Sequence, residues 1–362
     1  MNIVIDTRAL LGAGGVPQYT RQIIRHLNSE GKNIFLFCNS LRRLKNFESR
    51  FAKIFFRIPN KILNLSLLLC GRPYIDRMVE KRLGKKVDLF ILPNINFWKS
   101  KGDKKIVIAH DLSFAIHPRF FNLRDRIWHR AIKPRELYGA ADIIIAVSEN
   151  TKRDLTNIFG IREEKIRVVY PGVSIDAREL QNKKGNYILY LASLEPRKNV
   201  LGLIDAYERV DTDMDLVIAG AGKYKPIIKW KVAISPKRKK IKLVGHVREG
   251  EKIKFINEAQ LFVYPSFYEG FGFPPLEAQV LGVPVIASLT SSMSEVLGDS
   301  ALLVNPQDSN EIARAISEVI DNRELRDILI ERGLENAKRF SWQKSVKEIG
   351  GIIDNIAATR SI

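Results

Sequence analysis

The chain is short of acid. Against 59 Lys and Arg it has 40 Asp and Glu, a formal net charge of +19 over 362 residues. Such an excess excludes a mainly cationic partner and leaves nucleic acid, an anionic lipid surface or a polyphosphate as candidates. Cysteine is nearly absent: only Cys38 and Cys70 occur, neither in a metal-like cluster. A disulfide framework and a thiolate metal site are therefore excluded, and both cysteines, set in apolar runs, are expected as reduced, buried thiols. Long apolar runs are missing too. The longest, Ile62–Cys70, is less than half a membrane span. No basic-then-apolar leader precedes the first strand, so the expected location is cytoplasmic, at most peripheral on the inner face of the cell membrane. No repeat or low-complexity segment is present, which excludes solenoid architectures.

What is present suits two buried sheets. Hydrophobic residues make up 45% of a chain long enough for two ordinary domains. Short Val/Ile/Leu-rich runs alternate with helical patterns, the mark of parallel strands covered on both faces. The first set of strands is expected at Asn2–Asp6, Asn33–Cys38, Asp88–Leu92, Lys105–Ala109, Asp142–Val147 and Arg167–Tyr170. The second is expected at Tyr187–Leu191, Asp215–Ala219, Lys240–Val244, Leu261–Tyr264, Val283–Ala287 and Ala301–Val304. Two doubly wound α/β domains follow, residues 1–172 and 173–340, with a C-terminal helix, 341–362, packing back on the first. Ligands of open parallel sheets sit at the carboxyl ends of strands, so the expected active site is a cleft that the two sheets face.

Several segments put chemistry at those strand ends. Tyr264-Pro-Ser-Phe-Tyr-Glu-Gly-Phe-Gly-Phe-Pro-Pro-Leu-Glu277 leaves a strand, turns through Gly270 and Gly272, and enters a helix at Pro274-Pro275. Backbone amides and the positive end of a helix dipole converge there, which makes an anion site. Glu269 precedes the turn and Glu277 lies about one turn into the helix. Just after the first strand of the second set, Ala192-Ser-Leu-Glu-Pro-Arg197-Lys198-Asn199 offers two cations suited to a diphosphate, whose leaving charge needs neutralising. In the first domain Gly12-Ala-Gly14-Gly15 joins the first strand to a helix that Pro17 is expected to start, without dinucleotide-loop spacing. His110-Asp-Leu-Ser-Phe follows another strand; its imidazole titrates near neutrality, and Asp111 can orient the loop. Ser148 reads as the cap of the helix Glu149–Phe159. Ala219-Gly-Ala-Gly-Lys223 lacks the spacing and the Ser/Thr of a P-loop.

With Glu269 and Glu277 in the setting F-Y-E-G-F-G-F-P-P-L-E-A, the chain resembles the retaining glycosyltransferases of family 4, which have the GT-B fold of two Rossmann-like domains. The resemblance runs through nearly the whole chain in order. It implies that Glu277 binds the donor ribose hydroxyls and that Glu269 lies beside the transferred sugar. The amides of Gly270, Phe271, Gly272 and Phe273 would meet the distal phosphate and sugar, with Arg197 and Lys198 on the diphosphate. The match at Lys198 is plain; Ala192-Ser193 stands where many members carry Gly-Arg. Gly14 and Gly15 would border donor phosphate or acceptor, His110 the transferred sugar or acceptor hydroxyl, and Val247 the nucleobase. Ser291 to Glu295 resembles the last donor-side loop, a helix cap being the other reading. No cofactor and no divalent metal are implied, and no Asp-x-Asp metal-binding motif is expected in the chain. The Leu-Glu-Pro-Arg-Lys-Asn form is similar to that of bacterial mannosyltransferases of surface polysaccharides.

The expected activity is thus retaining transfer of a hexosyl group, mannose from GDP-mannose first, to a glycan or lipid-linked acceptor. A UDP-sugar (glucose or N-acetylglucosamine) is the alternative donor, and a sugar-nucleotide epimerase the alternative enzyme. A basic nucleic-acid-binding protein is the reading from another class, but it leaves Glu269, Glu277 and the Arg197–Lys198 pair unexplained, so nucleic acid is not expected as a partner. Leu41–Arg57, with Arg42, Arg43, Lys45, Arg50, Lys53 and Arg57 among aromatic and aliphatic residues, resembles an interfacial amphipathic segment, an ordinary helix with one buried face being the other reading, and Lys223–Lys242 holds nine Lys/Arg and no acid. Both suggest an anionic membrane surface as a partner.

Overall fold

A computed structural model describes residues 1–12, 14–40, 49–173, 175 and 185–358. The chain divides into two compact units, Met1–Gly172 with Trp342–Ile362, and Val173–Ser341.

In the first unit seven strands form one sheet: β1 (Asn2–Asp6), β2 (Asn33–Asn39), β3 (Ala52–Phe56), β4 (Leu89–Leu92), β5 (Lys104–Ala109), β6 (Ile143–Ala146) and β7 (Ile166–Val168), in the order β3-β2-β1-β4-β5-β6-β7. Every pairing is parallel. The second unit holds β8 (Tyr187–Leu191), β9 (Asp215–Ala219), β10 (Ile241–Gly245), β11 (Leu261–Tyr264), β12 (Val285–Ser288) and β13 (Leu302–Val304), in the order β10-β9-β8-β11-β12-β13. These too are all parallel. The central strands are apolar on both faces because helices cover both: Leu89–Leu92 and Leu261–Tyr264 are buried throughout.

Each sheet winds outward, then returns past its first strand. The reversal lies between β1 and β4 in the first sheet and between β8 and β11 in the second. Loops leaving adjacent strands part in opposite directions there, and the gap at the carboxyl ends is where open sheets take ligands.

The C-terminal helix Trp342–Ala358 belongs to the first unit. Trp342 meets Tyr19 edge-on with ring centroids 5.4 Å apart, Ser345 Oγ donates to the Tyr170 carbonyl at 2.5 Å, and Lys32 pairs with Asp354 at 2.7 Å. Helix starts follow their side chains: Ser148 accepts from the Thr151 amide, Asp308 from those of Asn310 and Glu311, and Asn322 from that of Leu325. Among the described residues no helix is long and apolar enough to cross a membrane.

The structure corrects three expectations. Residues 52–56, read as part of an amphipathic helix, are the edge strand β3, paired in register with β2 from Phe35–Ala52 to Asn39–Phe56. Ile54 is buried in the core while Ala52 and Lys53 are exposed, as an edge strand allows. Residues 41–48 of that segment, including Arg42, Arg43 and Lys45, lie outside the described residues, as do most of the polar residues before β8. Cys38 is buried, but Cys70 is exposed. It ends the helix Asn60–Leu69, which buries Leu63 and Leu67 and turns Ile62, Leu65, Leu68 and Leu69 outward. The glycine loop enters its helix at Gly15, two residues before Pro17. Smaller shifts have local causes: β12 starts at Val285 because Pro284 offers the ladder only a carbonyl, which accepts from the Phe262 amide.

Candidate active site

The reversal between β8 and β11 brings together Arg197, Lys198 and Glu269 of the charged residues that the sequence singles out in the second unit. Beyond Leu191 the chain makes a short 3₁₀ turn, Pro196–Lys198, and enters the helix Val200–Arg209 through Asn199. Asn199 takes the left-handed conformation, φ 56°, that Asn tolerates better than most residues. Its side-chain amide donates to the carbonyls of Pro265 (3.0 Å) and Pro306 (2.6 Å), tying the loops after β8, β11 and β13. The Phe267 amide donates to the Arg197 carbonyl at 2.8 Å, a second strut between the first two loops.

On this frame sits a buried charge cluster. Lys198 Nζ lies 2.5 Å from Glu269 Oε1 and donates to the Tyr264 hydroxyl at 2.8 Å. Arg197 Nη1 reaches Glu269 Oε2 at 3.3 Å, and its Nε reaches Glu195 at 2.9 Å. The side chains of Lys198 and Glu269 are only 8% and 7% exposed. Burial disfavours the Glu269 carboxylate, yet Lys198 and Arg197 outweigh it and hold its pKa below the usual carboxylate range. Burial and Arg197 lower the Lys198 ammonium against the pull of Glu269. The cluster is an ionised carboxylate with two cations at the carboxyl end of a sheet.

The Glu269 loop is clamped from the other side. Its own amide donates to Ser291 Oγ at 2.9 Å, and Ser292 Oγ donates to the carbonyls of Glu269 (3.0 Å) and Phe271 (3.2 Å). Ser292 makes no side-chain cap on the helix Met293–Leu297, so this segment braces the loop and the helix-cap reading fails. Gly272 caps the helix Phe273–Val280 with φ 99°, and a Cβ there would stand 2.1 Å from the Met293 methyl. Only glycine meets both demands. Pro274 and Pro275 bring no N–H to the first turn, so the amides of Gly270 to Phe273 are what this end of the helix can offer an anion. The Phe271 ring packs on Phe273 and Phe340, so it would serve through its backbone. Glu277, buried on the same helix, accepts from Lys252 Nζ at 2.7 Å.

Gly220 and Gly222, the false P-loop, have a packing role. A Cβ on Gly220 would stand 1.8 Å from the Ala192 carbonyl oxygen, and one on Gly222 2.2 Å from that of Leu194. These glycines let the loop after β9 lie against the loop that carries Arg197 and Lys198. Val247 follows β10, on the far side of β9 from the cluster.

The chain does carry Asp-x-Asp spacing, at Asp211, Asp213 and Asp215. All three lie at the amino end of β9, opposite the cluster; Asp213 pairs with Lys240 at 2.9 Å and Asp215 lies 3.9 Å from Lys242. Among the described residues no group of three or more His, Cys, Asp or Glu is arranged to hold a metal.

In the first unit His110 leaves β5 and Pro93 leaves β4, beside the other reversal. His110 Nε2 lies 2.8 Å from the Pro93 carbonyl, and its ring meets Tyr19 edge-on at 4.9 Å. A carbonyl can only accept, so Nε2 carries a proton. Burial lowers the pKa of the ring, which leaves Nδ1 of the neutral imidazole as an acceptor suited to a hydroxyl. Asp111 accepts from the amide (2.9 Å) and hydroxyl (2.5 Å) of Ser113, and so holds the turn. Gly14, φ 102°, and Gly15 open the helix Gly15–His26. Sequence reasoning missed Lys252, Tyr264, and the bracing by Ser291 and Ser292.

Comparison with known proteins matches this arrangement on both units. Residues 13–177 match the family model "Glycosyltransferase Family 4" and residues 174–336 match "Glycosyl transferases group 1". The chain is 30% identical over 258 residues to the O-antigen chain mannosyltransferase B of Escherichia coli, covering 67% of this chain and 68% of that protein. It is 26% identical over 263 residues to the serotype-specific mannosyltransferase WbdA of the same organism, covering 66% of this chain but only 32% of that longer protein. Among solved structures, sucrose-phosphate synthase of Thermosynechococcus elongatus superposes with a TM-score of 0.78 at 19% identity, covering 99% of both chains. The Anabaena protein HepE, solved with UDP and glucose, superposes at 0.77 and 17% identity, covering 98% of this chain and all of that one. At such identities the structures speak for the fold, which is GT-B. With a relative of this identity and coverage, and family models that adjoin along nearly the full length, the chain belongs to glycosyltransferase family 4.

Proposed function

We propose that this glycosyltransferase moves a mannosyl group, with retention of configuration, from GDP-mannose to a glycan or lipid-linked acceptor of a surface polysaccharide. The observation that carries the reading is the buried set of Glu269 with Lys198 and Arg197 at the carboxyl ends of β8 and β11. Two cations fixed beside a helix amino end suit a nucleoside diphosphate, whose charge grows as the glycosidic bond breaks. In this reading Lys198 and Arg197 turn from Glu269 to the diphosphate when donor binds. The amides of Gly270 to Phe273 take the distal phosphate, and Glu277, oriented by Lys252, takes the ribose hydroxyls. Gly14 and Gly15 meet donor phosphate or acceptor, Val247 the nucleobase, and His110 Nδ1 accepts from a hydroxyl of the transferred sugar.

The acceptor oxygen bonds to the anomeric carbon on the face that the diphosphate leaves. The electron pair of the breaking C–O bond goes to the diphosphate, whose oxygen then takes the acceptor's proton. Charge neutralisation falls to side chains and amides, so no divalent metal is required. In this reading Glu269, released by the two cations, holds sugar hydroxyls and is not a nucleophile; a double displacement would need its carboxylate on the face opposite the diphosphate.

Mannose is supported by the names of the two E. coli relatives. A UDP-hexose is the second reading, supported by the UDP and glucose bound to HepE. A thermal-shift panel of GDP, UDP, ADP and their sugars with EDTA present tests donor and metal together; GDP and GDP-mannose should give the largest shifts. A covalent glycosyl adduct on Glu269, or a product of inverted anomeric configuration by NMR, refutes the mechanism.

A further inference from the structure

The helix Lys225–Ile234 of the second unit, between β9 and β10, presents an apolar face to solvent. Ile228 is fully buried and Val232 packs on the core from the same side. Lys231 holds the helix to its neighbour through Asp205 (2.5 Å) and Glu208 (3.3 Å). The outward arc is Pro226, Ile227, Trp230, Ala233 and Ile234, all exposed, with Trp230 at 63%, Ile234 at 58% and Ile227 at 45%. Positions 227, 230 and 234 recur at i, i+3 and i+7, so they form one stripe along the helix.

The surroundings of that stripe are cationic. Lys223–Lys242 contains nine Lys/Arg and no acid. Lys231, Lys240 and Lys242 meet acids of neighbouring segments, and Lys237 turns to the Val210 carbonyl and the Tyr207 ring. Lys229 on the next strip of the helix, and Arg238 and Lys239 just beyond its end, are exposed.

We infer that this face docks on an anionic lipid surface, with Trp230, Ile227 and Ile234 entering the interface and Lys229, Arg238 and Lys239 meeting headgroup phosphates. An apolar stripe with a tryptophan and flanking cations is the pattern of helices that lie in a membrane interface. A nucleic acid would need cations at the centre of the face, where this helix has Trp230 and Ala233. A second copy of the chain would set cations against cations across a two-fold axis. The docking surface lies on the unit that carries Glu269, Lys198 and Arg197, and not on the basic segment 41–57. Its purpose, bringing the enzyme to an acceptor held at a membrane, rests on the function proposed above; the docking itself does not.

Binding is therefore measured on the full chain without donor or acceptor, so that failure of docking and failure of the proposed activity are separate results. The protein is floated with phosphatidylethanolamine/phosphatidylglycerol vesicles and with phosphatidylcholine vesicles, and tryptophan emission is followed with brominated lipids. The expected result is binding to the anionic vesicles only, with quenching that Trp230→Phe removes. Trp230→Ala should weaken binding at least about tenfold, as loss of a large buried apolar side chain would. Lys229→Gln with Lys239→Gln should weaken it about fivefold per charge. Since these side chains are exposed, thermal unfolding should not move. Three results overturn the inference: no binding to anionic vesicles; loss on Leu65→Asn with Leu69→Asn in the first unit while Trp230→Ala binds normally; or a dimer in sedimentation that Trp230→Ala dissolves.

Discussion

Replacing Glu269 by Gln keeps the shape of the side chain and removes its charge. Lys198 then loses its carboxylate and keeps the Tyr264 hydroxyl, while Arg197 keeps Glu195 and the Tyr268 carbonyl. Breaking one side of a buried ion pair costs about 3–5 kcal/mol. Because Arg197 stays partnered, the low end applies, about 3 kcal/mol. In a unit the size of Val173–Ser341 each kcal/mol moves the midpoint by roughly 2–4 °C, so thermal unfolding should fall by roughly 6–12 °C.

Adding GDP then separates a site from a mere structural cluster. If Lys198 and Arg197 are the diphosphate groups, the variant offers them without the competing carboxylate, and GDP replaces the missing negative charge. At a ligand concentration of about 100 Kd a site of this kind stabilises by roughly 2.7 kcal/mol. The GDP-induced rise in the variant should exceed that of the wild type at the same concentration, while transfer activity falls by at least about a hundredfold. Differential scanning fluorimetry with a turnover assay on the same samples reads both. A smaller GDP response in Glu269→Gln than in the wild type refutes the assignment of these two cations to the diphosphate.

Three further outcomes follow from single contacts. Gly220→Ala puts a methyl 1.8 Å from the Ala192 carbonyl oxygen; backbone cannot yield as a side chain can, so stability should drop by about 3 kcal/mol, and normal unfolding would show that the two loops do not abut. Lys252→Met leaves Glu277 buried without its 2.7 Å partner; the donor KM should rise about tenfold with kcat little changed, as for a group that orients a binding carboxylate, and an effect on kcat alone would refute that role. Asp103, in the first unit, has its pKa pushed up to about 7 by burial and by the neighbouring Asp76 carboxyl. Its unfolded value is near 4, so the folded unit binds the extra proton and loses stability as pH rises from about 4 to about 7. Asp103→Asn should therefore raise the unfolding midpoint by an increment that grows across that window and levels off above it; an increment that does not change with pH would refute the raised pKa of Asp103.

The parts of the fold that were legible are those where one physical signal acts alone. The inner strands β4, β8 and β11 are unbroken apolar runs, and β1 and β5 hold the runs Ile3–Ile5 and Ile106–Ala109, because both faces are covered. β3 was illegible because an edge strand with one face in water mixes Lys53 with Phe55 and Phe56. Alternation over five residues resembles one stripe of an amphipathic helix, and only the pairing with β2 decides between them. Cys70 departs from expectation for a related reason: its apolar neighbours predict a buried thiol, whereas the helix that it ends buries only Leu63 and Leu67.

The site divides along the same line. Arg197, Lys198 and Glu269 could be found because each stands in the loop just past a strand end, where chain order alone places side chains near a ligand, and Glu277 because it lies on the helix that this loop enters. Lys252 looked like any lysine on a solvated helix, and Tyr264 like a strand core residue; what gives each a role is a partner distant in sequence. Ser291 and Ser292 read either as part of a donor-side loop or as a helix cap, and their hydroxyls bond the Glu269 loop. The difference is one of contact range. Strand order fixes where the sheet reverses, so any residue just past β8 or β11 is already committed to that gap. Which side chain neutralises which depends on how the Lys252 helix lies over the Glu277 helix. Hydrophobic patterning sets that packing only for the apolar faces, and it leaves the ends of long polar side chains to settle by charge.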